Sequence, residues 1–130
     1  MPEKTKPIIY IVDDDDSVRR AIKRLIRSAG MEARTYASAD EFLKARPGEK
    51  NACLITDVKM RGLTGLQLHD KLIASGSGLP VIYITAFDTE EIRAQAKKSG
   101  AVGYFRKPVD GQALLDAIQW ALAGRGQKKG

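Results

Sequence analysis

The sequence predicts a doubly wound α/β domain built on a parallel sheet. Short β-branched or aromatic runs alternate with amphipathic segments five times. Gly, Pro, Asp and Ser punctuate the junctions between them. The length, 130 residues, is enough for one domain and too short for two well-packed ones.

The elements follow in order. Ile8 to Val12 reads as a buried strand, because Ile-Ile-Tyr-Ile-Val is β-branched or aromatic throughout. Val18, Ala21, Ile22, Leu25, Ile26 and Ala29 recur at helical spacing, and Gly30 supplies the stop. The four aspartates before this helix predict an N-cap at Asp16 or Ser17, with Asp15 and Asp16 solvated. A short strand is expected near Glu32–Tyr36. Ser38-Ala-Asp-Glu41 then reads as a capping box for a helix through Phe42 and Leu43, closed by Pro47-Gly48.

Ala52–Thr56 reads as the third strand, and Gly65–Ser75 as a helix with Leu68, Leu72 and Ile73 inward. His69 falls on this helix as a surface or partly buried residue. Pro80 introduces a fourth strand, Val81–Ile84. Asp88-Thr-Glu-Glu91 starts a helix that ends at Gly100. Its apolar stripe is thin, mainly Ile92 and Ala96, so it is expected to be the least firmly anchored helix. Val102–Phe105 is the fifth strand. Asp110–Ala123 is the last helix, with Leu114, Leu115, Ile118, Ala121 and Leu122 as its apolar face. Residues 1–7 and 125–130 read as flexible tails, the second a basic tail or the start of a linker, around a domain of residues 8–124.

Composition narrows the function. No apolar run approaches the roughly 20 residues of a membrane helix, and the N-terminus lacks a signal-type apolar stretch. The single cysteine, Cys53, sits in an apolar run and reads as a core residue, which fits a cytoplasmic location. The net charge is +6, which raises the question of nucleic acid. The two tails hold five of the 22 basic residues and one of the 16 acidic ones, leaving 17 against 15 and a net of +2. With no reading motif beside it, this charge predicts no direct nucleic-acid binding by the chain.

In doubly wound folds, ligands bind beyond the carboxyl ends of the strands. Strand one ends in Asp13-Asp14-Asp15-Asp16, strand three in Thr56-Asp57, strand four in Thr85-Ala86 and strand five in Arg106-Lys107-Pro108. Carboxylates, a hydroxyl and an ammonium therefore converge on one edge. Two carboxylates about 4 Å apart repel by roughly 4 kcal/mol at an effective dielectric near 20. A divalent cation relieves this, and oxygen-only ligands favour Mg²⁺ over zinc. Lys107 would add a second positive charge and Thr85 a hydroxyl donor, a set suited to a transferring phosphoryl group with Asp57 as nucleophile.

These segments strongly resemble response-regulator receiver domains. Val12-Asp13-Asp14-Asp15-Asp16-Ser17-Val18-Arg19 looks like the acidic-pocket segment, and Cys53 through Asp57 to Gly65 like the phosphorylation-site segment. Val81-Ile-Tyr-Ile-Thr85-Ala86 and Gly100 through Tyr104 to Lys107-Pro108 complete the match, over about residues 7–124. The first two segments look most like the FixJ/NarL type, whose members usually add a DNA-binding domain.

The resemblance implies a flavodoxin-like (βα)5 fold with a five-stranded parallel sheet in the order 2-1-3-4-5. It implies that Asp57 accepts a phosphoryl group from a sensor histidine kinase or phosphotransfer protein. Asp13, Asp14, Asp57 and the backbone carbonyl of Lys59 would hold Mg²⁺. Thr85, Ala86 and Lys107 would face the phosphate, the Lys107–Pro108 peptide would be cis, and Tyr104 would move inward. The face of helix four, strand five and helix five would then present itself to a downstream protein, an effector domain of the same chain or a second copy in a phosphorylation-dependent homodimer. Such a domain is not an enzyme beyond its own phosphotransfer and autodephosphorylation.

One departure and one further feature stand out. The fourth residue after the acceptor is usually proline in this family and is Arg61 here. Helix one carries a basic face of Arg19, Arg20, Lys23, Arg24 and Arg27, read as solvated or as a kinase-docking surface. Two rival readings remain. One is a pseudo-receiver that binds partners without phosphorylation. The other is a haloacid-dehalogenase-like phosphatase, in which Asp13-x-Asp15-x-Ser17 would carry the nucleophile.

Overall fold

The computed structural model describes residues 6–124. Their elements run β1 (Ile8–Val12), α1 (Asp16–Ser28), β2 (Glu32–Tyr36), α2 (Ala39–Lys44), β3 (Ala52–Asp57), α3 (Gly65–Ala74), β4 (Val81–Thr85), α4 (Glu90–Lys98), β5 (Gly103–Arg106) and α5 (Gly111–Leu122). The five strands pair in parallel in the order β2-β1-β3-β4-β5, as the sequence and its resemblance predict. The greater part of both expected tails, residues 1–5 and 125–130, lies outside the described residues. Pro7, at the inner end of the first, accepts a backbone hydrogen bond from Glu32.

The sheet separates two cores because side chains alternate along each strand. Tyr10, Val12, Leu54, Val81 and Tyr83 pack with Phe42, Leu68, Leu72 and Ala96 from α2, α3 and α4. Ile9, Ile11, Cys53, Ile55, Ile82 and Ile84 pack with Ile22, Ile26, Leu114 and Ile118 from α1 and α5. Every residue of β3 and β4 is buried, as expected of central strands covered on both faces. Cys53 is fully buried, and that burial pushes its thiol up to about 12.

Several local expectations change. Asp15, not Asp16 or Ser17, caps α1, accepting from the backbone N–H of Ser17 and Val18. It is exposed all the same, as Asp16 is. Ser38 accepts from Glu41 N–H, but the Glu41 carboxylate reaches back one residue further, to Ala37 N–H. The helix so started is short and ends at Lys44, before Arg46 takes φ 50°. Thr89 caps α4, and Asp110 precedes α5 without a side-chain cap bond. Ala21 and Ala29 are exposed, Ala29 as the C-cap of α1.

Ile73 points outward, 50% exposed. The stripe that α3 buries runs Gly65, Leu68, His69, Leu72, and residue 73 stands about 100° round the helix from residue 72. The same rotation brings His69 inside, where only 5% of it is exposed. Helix α4 buries Ala96 alone, with Ile92 half-buried. Its thin anchoring follows the sequence reading.

Candidate functional site

Asp13 follows the last residue of β1, and Asp57 is the last residue of β3, its Cα opposite Ile84 of β4. Parallel pairing of Val12 with Thr56 sets these two acids side by side. One carboxylate oxygen each from Asp13, Asp14 and Asp57 lies within 4.8 Å of the others. Asp13 is completely buried and Asp57 nearly so. Lys107 follows β5, held by its N–H on the Thr85 carbonyl at 2.8 Å. Its Nζ lies 2.9 Å from Asp13 Oδ2 and 3.2 Å from Asp57 Oδ2. The Lys107–Pro108 peptide is cis.

The electrostatics are strained in one direction. Burial, and then the Asp13 charge, pushes the Asp57 carboxyl up to about 6 against the pull of Lys107. Burial disfavours charge on Lys107 as well, but its close contacts with the Asp13 and Asp57 carboxylates outweigh it and raise the ammonium pKa. One lysine thus serves two buried carboxylates and does not neutralise the cluster.

The donor set fits a hard divalent cation. All three side chains offer oxygen, with no thiolate and no imidazole among them. Asp13 Oδ2 is buried and takes part in no hydrogen bond; its contact with Lys107 is an ion pair without hydrogen-bond geometry. Apart from the Lys107 ammonium, no group among the described residues serves this buried oxygen, which suits it to ligate a hard cation. Asp13 Oδ1 is fixed by Asp15 N–H at 2.9 Å, which orients the carboxylate.

Around this cluster the predicted residues take definite places. Thr85 is fully buried, and its hydroxyl oxygen accepts from Phe87 N–H at 2.9 Å. Ala86 follows it in the exposed start of the β4–α4 connection. Lys59 is exposed, with its ammonium 5.8 Å from the centre of the Phe87 ring. Arg61 lies on Asp14: its N–H donates to Asp14 Oδ2 at 3.2 Å, and its guanidinium approaches the same oxygen at 3.7 Å. Tyr104 donates its hydroxyl to Asp88 Oδ1 at 3.0 Å, and Arg93 donates Nε and a terminal nitrogen to that same oxygen.

Some roles were not visible in the sequence. Arg19 is not part of a free basic face, because it donates to the Asp13 carbonyl at 2.7 Å and pairs with Asp16. Asp88 looked like a helix start and is instead the acceptor shared by Tyr104 and Arg93. Asp15 is occupied in capping α1, so Asp13 and Asp15 do not form the paired carboxylates a dehalogenase-type phosphatase would need.

Comparison with known proteins agrees with this picture. The family model of the response regulator receiver domain matches residues 9–119. The transcriptional regulatory protein TdiR of Thauera aromatica is 39% identical over 115 residues, covering 88% of this chain and 51% of TdiR. The transcriptional regulatory protein FixJ of Azorhizobium caulinodans is 35% identical over 130 residues, covering 100% of this chain and 60% of FixJ. The chain therefore spans only about half the length of such curated relatives. Among solved structures, the response regulator StyR superposes with a TM-score of 0.85 at 41% identity, over 95% of this chain and 64% of StyR. The crystal structure of FixJ-N superposes with a TM-score of 0.84 at 28% identity, over 92% of this chain and 96% of that one. The chain belongs to the response regulator receiver domains of two-component signalling.

Proposed function

We propose that Asp57 accepts a phosphoryl group from a phosphohistidine of a sensor histidine kinase or phosphotransfer protein, and that helix α4, strand β5 and helix α5 carry the change to a partner. The observation that carries this reading is the single lysine shared by Asp13 and Asp57 in a cluster of three carboxylates. An oxygen of the Asp57 carboxylate attacks phosphorus. The new O–P bond forms as the P–N bond of the phosphohistidine breaks, and the imidazole leaves with that electron pair.

Asp13, Asp14, Asp57 and the backbone carbonyl of Lys59 would hold Mg²⁺, which supplies positive charge against the phosphoryl oxygens. Lys107 then exchanges Asp57 for a phosphoryl oxygen. Thr85 gives up Phe87 N–H and donates its hydroxyl to the phosphate beside Ala86. Tyr104 leaves Asp88 and moves inward. No helix among the described residues is long and apolar enough to cross a membrane, which accords with a cytoplasmic signalling domain. The partner reading the switched face is a downstream protein, an effector domain of the same protein or a second copy. Nucleic acid is not touched by this chain itself, and its only chemistry is its own phosphotransfer and autodephosphorylation.

The test is incubation with Mg²⁺ and a small phosphodonor, followed by mass spectrometry and peptide mapping. One phosphoryl group on Asp57, absent in Asp57→Asn, is the expected result. Label on Asp13, or an unmodified protein that still binds its partner, would overturn the reading.

A further inference from the structure

Helix α4 is held at two ends by contacts of very different kinds. Grooves run along both its flanks. One of about 560 Å³, lined by Thr64, Gln67, Asp70, Gln95 and Lys98, separates it from α3. Another of about 220 Å³, lined by Arg93, Lys97 and Tyr104, separates it from β5. Between them the helix buries only Ala96 and half-buries Ile92. Its N-terminal end is tied by the Arg93–Asp88–Tyr104 group, where solvent reaches Arg93 and weakens the pairing.

The C-terminal end is tied from inside. His69 of α3 meets the hydroxyl of Tyr83 of β4 at 2.7 Å, and this hydroxyl meets Ser99 Oγ at 3.3 Å. Ser99 is the C-cap of α4, and its hydroxyl donates to the Ala96 carbonyl at 2.7 Å. His69 and Tyr83 are both buried, and their rings meet edge to face at 5.7 Å. The chain crosses three elements and ends on the last turn of the helix.

Its protons can be assigned by counting. A hydroxyl carries one proton. Ser99 donates its own to Ala96, so in the contact with Tyr83 it accepts. Tyr83 then has no proton left for His69, so His69 donates from Nδ1. The chain runs in one direction, from the Nδ1–H tautomer of His69 through Tyr83 and Ser99 to the carbonyl of Ala96. Water is kept from the histidine and tyrosine in this chain, so breaking it leaves buried groups unpaired.

We propose that His69 is a positioning residue of the switch: through Tyr83 and Ser99 it pins the C-terminal end of α4, so that the helix pivots about that end when its Asp88 end is released. The proposal rests on the reading of α4 as part of the switched face. Nothing in the phosphoryl site requires a histidine on α3, and an apolar residue would fill the same core position. The donor is needed because the helix has so little apolar surface of its own to hold it.

Amide hydrogen exchange on the whole chain tests this, in the free state and with Mg²⁺ and beryllium fluoride. In the free state, Tyr83→Phe, which removes only the hydroxyl, should raise exchange at residues 96–99 roughly fivefold to tenfold, the loss expected for one buried hydrogen bond. Protection in β1 and β3 should stay unchanged. His69→Leu should do the same, and His69→Asn, whose amide can still donate, should restore at least part of the protection. Nitrogen chemical shifts should report the Nδ1–H tautomer. With beryllium fluoride the wild type should change at residues 86–93 and hold at 96–99. Unchanged exchange at 96–99 in Tyr83→Phe, or an equal rise across the whole domain, would overturn the pin. The free-state arms decide that whether or not beryllium fluoride binds. A wild type that ignores beryllium fluoride would overturn the switch reading and with it the pivot, leaving only a structural clamp.

Discussion

Gly65 stands directly against Asp57. A Cβ at Gly65 would overlap the backbone carbonyl oxygen of Asp57 and meet Thr56 Oγ1 at 3.2 Å. The close approach is fixed by Gly65 N–H on the Val58 carbonyl at 2.8 Å. The first turn of α3 therefore presses on the strand end that carries the acceptor. Gly65→Ala must move one of two backbones, at a cost of about 1–3 kcal/mol. Urea denaturation should register this, with weaker beryllium fluoride binding. A variant within about 0.5 kcal/mol of the parent would contradict the geometry.

Removing the shared cation should expose the charge imbalance. Lys107→Met leaves Asp13 and Asp57 facing each other with no ammonium. In chelator this should cost about 2 kcal/mol, less than for a fully buried pair because solvent reaches 17% of the lysine side chain. Mg²⁺ should then raise the melting temperature of the variant more than that of the parent. Equal increments would mean that Lys107 and the metal do not act on the same carboxylates.

The Asp57 carboxyl gives a pH dependence of known sign. Its pKa is raised to about 6 in the fold, against an ordinary value near 3.8. Between these values the folded state binds more protons than the unfolded one. Without metal, stability contributed by Asp57 is thus fully present below about pH 3.8 and lost as pH rises through about 6. Asp57→Asn should flatten that slope and raise stability at pH 7.5 by roughly 2 kcal/mol. Denaturant midpoints across pH 4.5–8 in chelator would measure it, and parallel profiles for parent and variant would refute it.

The Asp88 group should behave as a restraint on the resting position of Tyr104. Asp88→Ala frees the tyrosine hydroxyl and Arg93 together. If the tyrosine moves inward on activation, beryllium fluoride should bind this variant several-fold more tightly, since less of its binding is used to break the contact. Isothermal titration with Mg²⁺ present would read the change, and an unaltered affinity would remove Asp88 from the switch.

The parallel sheet and the acidic edge were legible because they depend on patterns a sequence carries openly, whereas the strand order followed only from the family resemblance. Ile-Ile-Tyr-Ile-Val and Val-Ile-Tyr-Ile-Thr announce buried strands, and strand ends converge in a doubly wound fold whatever lies between them. Contacts that depend on rotation about a helix were not legible. Ile73 and His69 exchanged inside for outside because a stripe read from apolar letters alone gave Ile73 the place that His69 takes. Arg19 looked like one of five equal cations until the strand end turned the Asp13 carbonyl towards it. Asp88 could not be joined to Tyr104, 16 residues on, without knowing where β5 leaves that ring.

Cys53 lies in the middle of β3, the central strand of the sheet, fully covered and with its thiol held in the unreactive protonated form. It is also the chain's one cysteine. Its labelling therefore times the parting of the sheet, with no competing thiol to blur the reading. The proposed pivot of α4 lies on the opposite face of the sheet from Cys53, so it would leave β3 covered and the label silent. The same protein thus carries its own means of telling a switching motion from an unfolding one.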